Sequence, residues 1–321
     1  MRSMKAMVLS APNELALCDI GDPDAGEGEV VIEVAACGVC RTDLQIVSGD
    51  IAMRKRPVIP GHQVVGRVAG TDERVGLAWL AGACGRCEQC LAGRENLCEL
   101  ADFRGWTVDG GYAERAVARR DYAFALPDRL SDVEAAPLLC AGIIGYRSLR
   151  LSGIRPGGRL GLFGFGSSAH LAIQVARHWG CEVAVFSRSP AEHRLAHELG
   201  AAWVGGYDDP PPEALDAAVT FAPAGSVVVS ALKALAPGGT VAINAIHLDG
   251  IPAFDYDLLW RERVLRSVAN FTRADATEFL ELAAEIPVRA QTQTFALAEA
   301  PQALARLAAG EVQGSAVLLV G

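Results

Sequence analysis

The chain changes rhythm about halfway along. In the first part short apolar runs, 30–35 and 63–68, stand among frequent glycines and prolines, which predicts short strands. From about Gly158 the pattern alternates. Strands are predicted over 159–163, 182–186, 216–221, 240–244 and 264–268, and stretches with helical apolar spacing lie between them over 170–179, 190–199 and 227–235. Gly200 and Pro237-Gly-Gly239 follow two of these helices and would end them. This alternation predicts an α/β fold with a doubly wound parallel sheet over 142–269. Beyond Asn270 come helices over 275–285 and 297–309 and a last strand over 316–320. These are assigned, with 1–141, to a second, β-rich domain.

A length of 321 residues suits two domains with their own cores. Hydrophobic residues make up 51% of the chain, yet no apolar run is long enough to span a bilayer, so no membrane partner is expected. The N-terminal stretch lacks the long apolar region of a signal peptide, and a cytoplasmic protein is expected. Net charge is −9 with no basic block, which argues against nucleic acid as a partner. In that setting the nine cysteines point to metal or catalysis rather than to disulfides.

Four of them fall together as Cys84-Gly-Arg-Cys87-Glu-Gln-Cys90, with Cys98 after a further seven residues. The two-residue gaps aim successive thiolates at one centre, and the longer gap lets a loop return the fourth. A closed tetrahedral Zn²⁺ site over 84–98 suits that spacing. Such a site has no open position and would hold the loop together. A disulfide pair and an iron–sulfur cluster rank below zinc.

A second motif is Gly164-Phe-Gly166-Ser167-Ser168-Ala169, placed between a predicted strand and a predicted helix. Gly164 allows a tight turn, Gly166 lets backbone approach a pyrophosphate, and Ala169 is small enough for helix–strand packing. The helix N-terminus then faces the anion. At the end of the next strand, where an NAD site places an acid for the ribose hydroxyls, stand Ser187-Arg188-Ser189. Two hydroxyls and a guanidinium suit a 2′-phosphate, so NADP is favoured over NAD.

Cys40, His62 and Cys140 each have an ordinary reading, as core thiols and a hydrogen-bonded imidazole. Together they supply the Cys₂His set of an open catalytic zinc. With Gly38-Val-Cys-Arg-Thr-Asp43, Gly61-His62, Cys84 to Cys98, Asp109-Gly-Gly-Tyr112, Cys140-Ala-Gly142 and the glycine loop, the chain resembles the zinc-dependent medium-chain alcohol dehydrogenases over essentially its whole length. The resemblance is nearest to a compact bacterial branch. It implies a Rossmann cofactor domain and a GroES-like catalytic domain. It implies a catalytic zinc on Cys40, His62 and Cys140 and a structural zinc on Cys84, Cys87, Cys90 and Cys98. It further implies that Thr42 passes the alcohol proton, that Asp43 orients His62, and that Arg41 reaches the cofactor pyrophosphate. A homo-oligomer, dimer or tetramer, is the family's habit.

Four positions depart from the family pattern: Gln63 replaces a Glu after the catalytic His, Gln45 a relay His, Ile144 a Thr near the nicotinamide, and Ser315 an Arg. They bear on rate, pH dependence and cofactor affinity rather than on reaction type. The function expected is hydride transfer between a nicotinamide cofactor and an alcohol, aldehyde or ketone. A double-bond or quinone reductase on the same fold, and a zinc-stabilised NADP sensor without turnover, are the alternatives. Trp79, Leu80 and Trp106 are candidates for the substrate wall, or for plain core.

Overall fold

The computed structural model describes residues 3–246 and 248–320. The first two residues of the N-terminal stretch, His247 and the last residue lie outside them. The chain divides into two compact units, Met1–Cys140 with Asn270–Gly321, and Ala141–Ala269. Among the described residues no helix is long and apolar enough to cross a membrane.

The second unit is built on a six-stranded sheet in which every neighbouring pair is parallel. Numbered within the unit, its strands run in the order 3-2-1-4-5-6, the doubly wound dinucleotide-binding order. Strand Arg159–Phe163 lies at the centre, between Glu182–Phe186 and Leu215–Thr220. Its sequence is buried almost throughout because helices cover a parallel sheet on both faces. Phe163 and Phe186, directly paired in register, stack with ring centres 3.9 Å apart. The helix Ser167–His178 buries Ala169, Leu171, Ala172, Ile173, Val175 and Ala176, an i, i+3, i+4 stripe. It begins three residues before the periodicity suggested, because Ser167 and Ser168 read as loop but form its first turn.

The first unit contains a seven-stranded sheet centred on the long strand Glu29–Val39, which pairs antiparallel with Gln63–Val68, Arg115–Arg119 and Ser315–Leu319. A separate hairpin joins Ser3–Leu9 to Leu15–Gly21. Helix Arg273–Glu285 opens on a capping box, Thr272 with Asp275, which satisfies the exposed first-turn donors. One arginine, Arg104, is only 1% exposed; its Nη1 donates to the Val117 carbonyl at 2.9 Å and ties neighbouring segments together.

Candidate active site and metal centres

Strand Glu29–Val39 delivers the chain to Cys40, which starts the helix Arg41–Ser48. The Cys40 N–H donates to Asp43 Oδ2 at 2.9 Å, so Asp43 closes the first turn of that helix from within. The same carboxylate accepts from His62 Nδ1 at 2.9 Å through Oδ1 and from the Tyr112 hydroxyl at 3.3 Å through Oδ2. Asp43 and His62 are buried. The helix ends at Gly49, in the left-handed conformation at φ 88°.

His62 and Tyr112 are set by backbone lying against backbone. Gly61 has φ +95°, and a Cβ there would come within 2.3 Å of the Tyr112 ring. A Cβ on Gly110 would come within 2.2 Å of the Gly61 carbonyl oxygen, so only glycines allow the hydrogen bonds from Gly111 N to Gly61 O and from Tyr112 N to Pro60 O. The Gly61-His62 and Asp109-Gly-Gly-Tyr112 motifs are thus two sides of one contact. Cys140 follows the short helix Ala136–Leu139 and is the last residue of this unit's first segment.

These elements bring Cys40 Sγ, Cys140 Sγ and a His62 ring nitrogen within 4.8 Å of one another. The two sulfurs are 4.0 Å apart. Sulfurs bound tetrahedrally at the Zn–S distance of about 2.3 Å lie roughly 3.8 Å apart, so the spacing fits zinc. With Nδ1 on Asp43, the imidazole turns Nε2 to the sulfurs, the arrangement a second carboxylate shell gives metal-bound histidines. The electrostatics agree. The hydrogen bond from Cys140 holds the Cys40 thiol well below its ordinary pKa against the cost of burial, and that same bond, with burial, pushes Cys140 well above. Burial works to lower the His62 pKa, yet the Asp43 charge and hydrogen bond and the Cys40 thiolate outweigh it and raise it to about 10. His62 thus stands between the Asp43 carboxylate and the Cys40 sulfur, surroundings that favour a cation. The Thr42 hydroxyl lies 3.9 Å from Cys40 Sγ and is nearly buried. Arg41 is exposed on the first turn of the same helix and Gln45 is half-buried one turn on.

The sequence alone gives Tyr112 no role beyond its place in the glycine motif; the fold sets its hydroxyl on Asp43. Of the suggested wall residues, Leu80 is core, with no exposed surface. Trp79 meets the His62 ring edge-on at 5.0 Å and stacks on Phe103 and Trp106. Gln63 is buried against Gly38, where a Cβ would come within 2.8 Å of its side chain.

In the loop 84–98 all four sulfurs lie within 4.8 Å of one another. Cys87 Sγ is 3.5 Å and Cys84 Sγ 3.9 Å from Cys90 Sγ, again tetrahedral-edge spacings. Backbone N–H groups of Arg86 and Cys87 pull the Cys84 thiol down to about 6, toward the thiolate a metal needs. Gly85 and Gly93 turn the loop at positive φ. Leu91, Leu97 and Leu100 are exposed, so the loop has little apolar core to hold it.

In the second unit Gly164 turns at φ +88°, with Ala222 N 2.8 Å from where a Cβ would stand, and Gly166 caps the helix Ser167–His178. A Cβ on Gly166 would meet no atom of the chain. Packing therefore explains the glycine at 164 but not the one at 166, which suits close approach by a phosphate. Ala169 is fully buried. At the end of the next strand the structure corrects one expectation. Ser187 is 1% exposed, its Oγ is hydrogen-bonded to Glu192 Oε2, and it also accepts from Ser189 N at 3.1 Å. It is not a free donor for a phosphate. Ser189 Oγ accepts from Glu192 N as a helix cap, and the Arg188 guanidinium lies 5.7 Å above the Tyr207 ring.

Residues 26–128 match the family model for the alcohol dehydrogenase GroES-like domain, and residues 169–285 that for the zinc-binding dehydrogenase domain. A probable alcohol dehydrogenase, AdhA, of Mycobacterium tuberculosis (strain CDC 1551 / Oshkosh) is 47% identical over 313 residues, covering 93% of this chain and 90% of that protein. An alcohol dehydrogenase of Geobacillus stearothermophilus is 35% identical over 334 residues, covering 98% of both. The solved cobalt- and zinc-bound thermostable alcohol dehydrogenase from Pyrobaculum aerophilum superposes with a TM-score of 0.88 at 25% identity, covering 99% of this chain and 100% of that one. With that fold, those donor sets and relatives matched nearly end to end, the chain belongs to the zinc-dependent medium-chain alcohol dehydrogenase family and is a nicotinamide-dependent alcohol oxidoreductase.

Proposed function

We propose that the enzyme interconverts a primary or secondary alcohol with its aldehyde or ketone, holding two zinc ions and favouring NADP. The observation that carries the reading is the Cys40, His62 and Cys140 donor set with the Thr42 hydroxyl beside it. When bound there, zinc supplies Lewis acidity to the substrate oxygen, and the nicotinamide exchanges the hydride. Thr42 Oγ1 takes the alcohol proton and gives up its own. No titratable side chain stands at Gln45 on the next turn, so that proton goes on to water or to the cofactor ribose. Asp43 keeps His62 in one tautomer and one orientation. The Cys84, Cys87, Cys90 and Cys98 set holds a second, structural zinc. Unit Ala141–Ala269 binds the dinucleotide at Gly164 to Ala169, with Arg188 and Ser189 facing the 2′-phosphate. A dimer or tetramer and a cytoplasmic location belong to the proposal on family membership alone.

Metal analysis of the pure protein, with an alcohol and aldehyde panel, tests the reading. Wild type is expected near two zinc equivalents and Cys40→Ser near one, with turnover lost in the variant. One equivalent in both proteins would remove the catalytic metal from the proposal. Asp43→Asn is expected to weaken retention of the catalytic zinc about 10–100-fold, since outer partners of a ligating histidine contribute that much. Competition with a chelator checks it, and unchanged retention would show that Asp43 serves the fold only.

A further inference from the structure

We propose that Glu192 sets how far the coenzyme site accepts a 2′-phosphate, opposing Arg188. The inference rests on the reading that a nicotinamide dinucleotide lies along Gly164 to Ala169 with its adenosine ribose at the end of strand Glu182–Phe186.

In a doubly wound dinucleotide-binding sheet, the end of that strand is where an acid meets the ribose hydroxyls. The sequence has no acid there; Ser187-Arg188-Ser189 follow Phe186. Folding supplies one from further along. Ser189 caps helix Pro190–Glu198 by accepting from Glu192 N, and that first turn brings the Glu192 side chain back over the strand end. There the carboxylate Oε2 accepts from the Ser187 hydroxyl. The hydroxyl has one proton, and it is committed to Glu192; one of its lone pairs accepts from Ser189 N. His193 Nε2 lies 2.8 Å from the Ser187 carbonyl oxygen and pins the same turn. Glu192 itself is half-buried. Its charge reaches Tyr207, the ring that lies under Arg188; burial first, then Glu192, raises that phenol above its ordinary pKa.

The strand end thus carries one anion and one cation, not a cation alone. A ribose diol can donate to the Glu192 carboxylate. A 2′-phosphate can pair with Arg188 but meets Glu192 as a like charge. Glu192 therefore narrows the preference for NADP that Arg188 creates.

Equilibrium binding of two fragments, adenosine 2′,5′-bisphosphate and ADP, reads the effect without turnover. Isothermal calorimetry on the zinc-loaded enzyme gives both dissociation constants. In Glu192→Gln, nearly isosteric, the affinity for the bisphosphate relative to ADP is expected to rise about tenfold, or 1.4 kcal/mol. Glu192→Asp draws the carboxylate back by one methylene and is expected to move the ratio the same way by a smaller factor. A ratio unchanged in both variants overturns the proposal. Arg188→Ala is the separate arm: it is expected to weaken the bisphosphate about ten- to a hundredfold and leave ADP alone. If that ratio stays fixed while the Glu192 ratio moves, the assignment of Arg188 is lost and that of Glu192 stands.

Discussion

Thr42→Val is expected to lower turnover by about 10²–10⁴-fold, the range for a lost proton-transfer group, with zinc content unchanged. The substitution removes a hydroxyl and keeps the branched shape, so the helix Arg41–Ser48 and its buried contacts should survive. Thr42 is only 4% exposed, which leaves little room for bulk water to take over its role. The hydroxyl lies 3.9 Å from Cys40 Sγ, close enough to serve an oxygen held at the same centre. Steady-state turnover and zinc analysis on one preparation check the prediction. Full turnover with zinc retained would reduce Thr42 to a packing residue. A companion variant reads the same path one turn on. Gln45→His places an imidazole where none titrates, and a new inflection in the rate near pH 6.5, roughly the free imidazole value, is expected.

Cys90→Ser is expected to remove one zinc equivalent and to lower the melting temperature by ~10 °C or more. Binding at a structural zinc is folding free energy, about 10–16 kcal/mol in isolated zinc-finger peptides. A whole domain has only about 5–15 kcal/mol in hand. The loop 84–98 buries little apolar surface of its own, with Leu91 76% and Leu97 46% exposed. The damage should also travel. Glu95, within the loop, accepts from Arg273 N at 2.7 Å, and Arg273 begins the helix Arg273–Glu285 while bonding Asp121 at 3.0 Å. Hydrogen exchange in that helix should therefore quicken along with the loop. A variant that loses one zinc yet melts with wild type would show the loop to be held by something else.

Much of this was legible along the chain because the signals were local. Cysteines with two residues between them and Gly164 and Gly166 after a strand are each complete within a few residues, and the alternation after Gly158 is built from short successive runs. What escaped the sequence depends on long-range approach or on short elements. The helix Arg41–Ser48 spans eight residues, too few for a periodic pattern to declare itself. Tyr112 reaches Asp43 across sixty-nine residues, through a contact only glycines permit. Arg104 is a charged residue that composition places on the surface, and backbone carbonyls hold it inside. The Ser187 expectation failed for a related reason. The acid that engages its hydroxyl lies five residues on, in a helical turn whose path only the fold defines.

The split of the first unit has a bearing on how the chain is made. Residues 141–269 are continuous, so their parallel sheet can close as soon as they have left the ribosome. The first unit cannot do the same. Residues 36–39 of its central strand find their partner on one side in residues 316–319, synthesised well after the inserted unit. Until then the strand edge that leads to Cys40 lacks that partner. Non-local closure of this kind is slow, because the chain between must be ordered before the pairing rewards it.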